Sequence, residues 1–336
     1  MRYSARSILA LDVSPFGRSL SLIPAMRALR DSFPQSYLGV AAHTGTCEAL
    51  QAQGLVDMAI PLGVVKMPTT GPDAIKRGWA LARQTRGYNF ELVLDFSPRL
   101  ETQLISRFVL GAPVLSPAKL PGAIGRLFEF GGAGRSGDSS ALADYSSVLR
   151  QLNAELQDTR IGVLTPSAED EMFEQRLYSS GSRGGEMVAL LYAANPGSVR
   201  GWPVAAFGEI ATRLANNFNA RIVVADEPSD NALTRNVDAW LPSGAIKLVH
   251  PRASEVFAAI ARASVVITDE AAIAQIASEL STPAIEIRDS LTTRRSSSSH
   301  RIVSGSSRGK VSVEEVFGVA CEMIQENRSR SLFQRS

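Results

Sequence analysis

The sequence has little with which to hold a metal. Two cysteines, Cys47 and Cys321, and three histidines are spread over 336 residues. Neither a disulfide framework nor a Cys/His ligand cluster is available, so no metal site is expected. Charge of one sign is also missing. Lys+Arg total 35 against 33 Asp+Glu, a formal net of +2, which argues against a protein that coats nucleic acid. No apolar run approaches the ~18 residues of a spanning helix. The N-terminal run is short, is closed by Asp12 and leads to no small-residue cleavage site, so no secretory signal is expected and a cytoplasmic protein is. Familiar nucleotide and hydrolase fingerprints are absent: no G-x-x-x-x-G-K-[ST], no G-x-G-x-x-G after the first strand, no G-x-S-x-G. His43, His250 and His300 stand in no acid–nucleophile spacing.

What is present is an ordinary globular composition, 45% hydrophobic and 20% charged, enough to build sizeable cores. The length suggests about two domains at ~150 residues each. Ile8–Val13, Tyr37–Ala42, Met58–Ile60, Leu92–Phe96 and Gly111–Leu115 are compact apolar runs that predict strands. Between them, helical spacing predicts helices from Leu20 to Leu29, over Cys47–Gln53, Asp73–Arg86 and Arg99–Leu110. Gly122–Ser140 is Gly/Ser-rich and predicts a loop, followed by helices over Ala141–Leu156 and Ser167–Tyr178. The alternation then repeats. Strands are predicted at Met187–Tyr192, Arg221–Ala225, Ala245–Leu248, Val265–Thr268 and Ala284–Ile287. Helices are predicted at Pro203–Asn216, Asp230–Val237, Ala253–Ala261 and Ala271–Glu279. Strand–helix alternation implies parallel βαβ units. The reading is α/β: a first Rossmann-like domain over 1–165, a second over 166–290, and a basic, Ser-rich connector with a terminal helix over 291–336. From 288 onward nine Lys+Arg outweigh five Asp+Glu. That segment is expected to be irregular before its helix, a solvated connector rather than a membrane-binding face, because it has no apolar side.

Three loops follow strands and open helices, the place where such folds bind ligands. Ser14, Gly17 and Arg18 follow the first strand, where free N–H groups suit an anion; the alternative is a plain turn. Gly197, Ser198 and Arg200 lie in NPGSVRGWP, where N–H, hydroxyl and guanidinium donors suit a phosphate; the alternative is a turn with Trp202 fixing the helix to the core. Asp269 and Glu270 follow VVIT, and Asp269 is expected to cap the helix that begins there.

With these loops placed, the chain resembles glycosyltransferase family 9, the ADP-heptose:lipopolysaccharide heptosyltransferases, over most of residues 6–290. SILALDVSPFGRSLSLIPAMRALRDSFP is similar to the family's opening strand, S-x-x-G-D turn and helix. ELVLDFSPRLETQLISRFVLGAP is similar to its central strand and helix. VALLYAANPGSVRGWPVAAFGEIATRLANNFNARIVVADEPSD resembles its K-r-W-P segment, and AAIARASVVITDEAAIAQIASELSTPAIEI its closing D-S-G-p-m-H segment. The resemblance implies a GT-B fold, two Rossmann-like domains with parallel sheets facing a central cleft, the acceptor on the first and the nucleotide-sugar on the second. It implies inverting, metal-independent transfer with no cofactor. Acceptor-side residues would be Ser14, Gly17 and Arg18. Donor-side residues would be Gly197, Ser198, Arg200, Asp230, Asp269 and Glu270. The partners would be a nucleotide-sugar, ADP-heptose-like, and a lipopolysaccharide or other envelope glycan, with peripheral contact at the inner face of the cytoplasmic membrane.

The departures fall on chemical positions. The family's turn Asp, its base, is Arg18, and a guanidinium accepts no proton near neutral pH. The catalytic base is left unassigned: Asp12 or another cleft acid would have to replace it. The phosphate hydroxyl, glycine and histidine after Asp269 are replaced by Glu270, Ala271 and Ala274. The F-G-P-T after the last strand becomes Glu286-Ile287-Arg288-Asp289. Two readings follow: a divergent glycosyltransferase, or a catalytically degenerate GT-B protein that binds or scaffolds in envelope polysaccharide assembly. A GT-B epimerase or phosphorylase has less support.

Overall fold

The computed structural model describes residues 5–14, 16–62, 83, 89–97, 102, 112–116, 141–162, 167–182, 185–193, 201–226, 232–288, 299–305 and 311–333. The helices expected at Asp73–Arg86 and Arg99–Leu110 and the loop at Gly122–Ser140 lie essentially outside them. The chain forms two units, Met1–Ile161 and Gly162–Ser336.

In the first unit, β1 (Ser7–Leu11), β2 (Tyr37–Ala42), β3 (Met58–Pro61), β4 (Leu92–Asp95) and β5 (Val114–Leu115) form one sheet in the order β3-β2-β1-β4-β5. Every pairing is parallel. A central parallel strand is covered on both faces, so it must be apolar throughout. Ile8, Leu9, Ala10 and Leu11 are accordingly buried, and each large aliphatic side chain contributes roughly 1.5–3 kcal/mol. The helix expected from Leu20 is two pieces, α1 (Phe16–Ser19) and α2 (Leu22–Ser32). α2 stops before Phe33-Pro34, since proline disfavours helical geometry in its predecessor. α3 (Thr44–Ala52) and α4 (Ala141–Gln151) complete the described helices of this unit. Gly39 on β2 is required by close approach: a Cβ there would lie 2.7 Å from the Phe90 ring.

In the second unit, β6 (Val188–Ala193), β7 (Arg221–Asp226), β8 (Ile246–Leu248), β9 (Val265–Thr268), β10 (Ala284–Arg288) and β11 (His300–Ser304) form a sheet ordered β11-β10-β9-β6-β7-β8. It too is parallel throughout. Helices α5 (Ser167–Ser179), α6 (Val204–Phe218), α7 (Ala232–Asn236), α8 (Ala253–Arg262), α9 (Ala271–Glu279) and α10 (Val313–Phe333) accompany it. Pro203 is the N-cap of α6, one residue ahead of its expected start inside the helix.

β11 corrects the expectation of an irregular connector after Arg288. Its register pairs Ala284 with His300 and Arg288 with Ser304, Val303 is buried, and Arg301 pairs with Glu322 and Glu326 of α10. The free edge of β10 supplies the hydrogen-bonding template that Ser-rich composition gives no hint of.

In both sheets the first strand has the second on one side and the fourth on the other. Strand order therefore reverses between β1 and β4, and between β6 and β9. Ligands of such sheets bind beyond the carboxyl ends at that reversal.

Candidate functional site

In the first unit the reversal brings together the end of β1 and the end of β4. Asp12 follows β1 and is fully buried. Its N–H donates to the Ala41 carbonyl at 2.9 Å. Oδ1 accepts the Ser14 N–H at 2.9 Å, which shapes the turn from its own side chain. Oδ2 accepts the Tyr145 hydroxyl at 2.5 Å. The Val13 N–H donates to Ser97 Oγ at 2.7 Å, tying the turn to the end of β4. Asp95, also buried, accepts from Thr102 Oγ1 at 2.6 Å. Tyr145 lies on α4 with its ring edge-on to Phe96, centroids 4.9 Å apart. Burial, together with the Asp12 charge, raises the Tyr145 phenol well above its usual value, so it stays a donor.

Gly17 is buried in α1. Arg18 is 44% exposed, and its Nη2 pairs with Asp144 Oδ2 at 2.9 Å. α4 thus holds the β1–α1 turn twice, by Tyr145 on Asp12 and by Asp144 on Arg18. His43, which follows β2, accepts the Gly45 N–H at Nδ1, 3.1 Å, so its ring proton sits on Nε2. Burial lowers its pKa to about 4, against the opposing pull of Asp12. It is a neutral ring capping α3, with its lone pair committed.

In the second unit β6 and β9 pair side by side, with Tyr192 opposite Thr268, so their carboxyl ends are neighbours. Gly197, Ser198 and Arg200, and Asp230 beyond β7, lie outside the described residues. The turn after β9 is described. Thr268 Oγ1 accepts the Glu270 N–H at 3.0 Å, and Glu270 Oε1 accepts the Ala272 N–H at 3.4 Å. Glu270, rather than Asp269, is therefore the N-cap of α9. The Asp269 carboxylate instead accepts the Trp202 N–H at 3.4 Å, bridging the two loops that flank the reversal. Trp202 is buried, edge-on to Phe207 at 4.9 Å, and donates from Nε1 to the Val311 carbonyl at 2.9 Å. It does fix α6 to the core. Asp226, at the end of β7, is buried and caps α7 through the Leu233 and Thr234 N–H groups.

The structure thus gathers Asp12, Ser14, Gly17 and Arg18 at one reversal, and Asp269 and Glu270 at the other. Sequence reasoning missed Tyr145, Asp144 and His43. The helix carrying the first two was predicted, but no spacing connects residues 133 apart. Among the described residues no group of three His, Cys, Asp or Glu is placed to hold a metal ion, and no helix is long and apolar enough to cross a membrane.

No family model matches the chain, and no curated protein matches it in sequence. Solved structures do match. A glycosyl transferase family 9 protein from Veillonella parvula DSM 2008 superposes with a TM-score of 0.71 at 14% identity, covering 97% of this chain and 99% of that one. ADP-heptose lps heptosyltransferase II of E. coli gives 0.63 at 15%, covering 96% and 99%. E. coli heptosyltransferase WaaC with ADP-2-deoxy-2-fluoro heptose gives 0.62 at 14%, covering 96% and 99%. Two parallel α/β units, matched end to end by these proteins, give the chain the GT-B fold, the fold of glycosyltransferase family 9.

Proposed function

We propose that the chain is a heptosyltransferase-like glycosyltransferase, taking a nucleoside-diphosphate sugar on its second unit and an envelope-glycan acceptor, such as lipopolysaccharide, on its first. The observation that supports this best is topological. The candidate turns sit at the carboxyl ends of the strands where each sheet reverses, in a fold shared over 96% of this chain with a structure holding ADP-2-deoxy-2-fluoro heptose. In the proposed reaction an acceptor hydroxyl attacks the anomeric carbon from the face opposite the diphosphate. The carbon–oxygen bond to the diphosphate breaks, the diphosphate leaves with the bonding pair, and the configuration inverts without a metal. Gly197, Ser198 and Arg200 offset the leaving charge, and Asp230 and Asp269 orient the donor. Ser14, Gly17 and Arg18 face the acceptor, whose membrane-borne glycan places the protein at the inner face of the cytoplasmic membrane.

The acceptor proton needs a base. Arg18 is none, and Asp12 reaches a substrate hydroxyl only when the Tyr145 hydroxyl swings away, since the carboxylate is enclosed and both oxygens are engaged. The second reading is a catalytically degenerate GT-B frame that binds or scaffolds in envelope polysaccharide assembly. Calorimetric titration with ADP-, UDP- and GDP-sugars, followed by a product assay, separates the two. Binding with transfer or hydrolysis is the expected result. Binding without turnover selects the second reading, and no binding to any of the three removes the enzyme reading. Arg200→Ala should weaken diphosphate binding by about 1.5–3 kcal/mol, as for a charged hydrogen bond; unchanged affinity removes Arg200 from the donor site.

A further inference from the structure

The sheet of the second unit carries a buried charged group that the reaction above leaves unused. Glu286, on β10, is 1% exposed. Its Oε1 accepts from Arg288 Nε at 2.5 Å and also faces Arg288 Nη2. Its Oε2 meets His300 Nε2 at 2.9 Å. Burial alone would push this carboxyl up, yet the His300 bond and the Arg288 charge hold it below its ordinary value, so it is a carboxylate with both oxygens committed.

Such a group is a poor device for stability. Desolvating the charges is costly, and an apolar cluster of equal volume commonly does as well. Its position is better explained by what it fixes. Glu286 is in register with Thr268, the last residue of β9, so Arg288, two residues further on, stands at the carboxyl end of β10 just past the end of β9. This is the end of the sheet where ligands bind. The turn beside it carries Glu270, a carboxylate that repels a diphosphate. On β9, β10 and the described turn between β9 and α9, Arg288 is the one cation. Nε and one terminal nitrogen are spent on Glu286, while the side chain remains 18% exposed, leaving part of the guanidinium for an external oxyanion in a pre-set orientation.

We propose that Arg288 is an anchor for the donor's diphosphate, with Glu286 and His300 as positioning residues that hold its guanidinium. The proposal rests on the donor reading above. It also supplies a phosphate donor on the neighbouring strand where Glu270 stands in place of the family's phosphate hydroxyl.

The test uses the full chain and calorimetry with ADP, UDP, GDP and inorganic pyrophosphate. Arg288→Met is expected to weaken the best-bound nucleotide and pyrophosphate alike by about tenfold or more, the scale of a charge-assisted hydrogen bond, with the thermal transition retained. His300→Ala is expected to weaken binding less, and to add nothing in the R288M background, because it acts through Arg288. A purely structural role would leave binding unmoved in both. Should R288M fail to fold, Arg288→Lys is measured in its place, where loss of the fork is expected to cost at least about fivefold. Wild-type binding that persists within threefold in the Arg288 variant overturns this proposal alone. A wild type that binds none of the four probes overturns the donor reading and this proposal with it.

Discussion

Removing the Tyr145 hydroxyl tests the description of the first unit's turn. Tyr145→Phe keeps the ring against Phe96 and deletes one atom. Asp12 then retains the Ser14 N–H on Oδ1 and loses the donor at 2.5 Å on Oδ2. The carboxylate has no exposure, so water does not replace that donor without opening the turn. A hydrogen bond to a charged group contributes roughly 1.5–3 kcal/mol net, and leaving the buried acceptor short costs at the upper end of that range. The expected destabilisation is about 2–3 kcal/mol. It is read as a lowered denaturation midpoint by far-UV circular dichroism, with faster hydrogen exchange in peptides covering β1 and β4 to place the loss in this unit. Because the two residues touch, a cycle with Asp12→Asn should show a coupling above about 1 kcal/mol. A cost under about 0.5 kcal/mol, with additive double-mutant behaviour, would refute the claim that this bond holds the turn.

Two further outcomes follow from buried polar groups. The His43 pKa is depressed to about 4 in the folded chain against an ordinary ~6.5 when unfolded. Between those values the unfolded chain binds the extra proton, so stability is full above about pH 6.5 and falls as pH drops towards 4, by up to about 3 kcal/mol. His43→Asn keeps a capping acceptor for Gly45 and should flatten denaturation midpoints between pH 7.5 and 5; a slope equal to that of the wild type would exclude His43 as its source. Trp202→Phe removes the Nε1 donor from the buried Val311 carbonyl and should cost roughly 1–3 kcal/mol, read by thermal unfolding. A neutral result would show that Val311 is not tied through the indole.

The central strands were legible because an interior parallel strand is solvated on neither face. ILAL, LVL, IVVA and VVI therefore stand out as unbroken apolar runs, and β9 and α9 match their expected ranges residue for residue. Ends of elements were less legible. The break between α1 and α2 and the choice of Glu270 over Asp269 as cap depend on which side chain reaches a given N–H, and composition is nearly blind to that.

The amino-acid order alone determined that two α/β units form, and that the turns bearing Ser14, Gly17, Arg18, Asp269 and Glu270 follow strands, because strand and helix periods are local properties of the chain. Tertiary structure alone decided which distant groups meet. Tyr145 closes on Asp12, Asp144 on Arg18, and His300 joins Arg288 on Glu286. Even β11 exists because the edge of β10 is there to pair with it. Those contacts depend on sheet order and register, and no run of neighbouring residues carries that information.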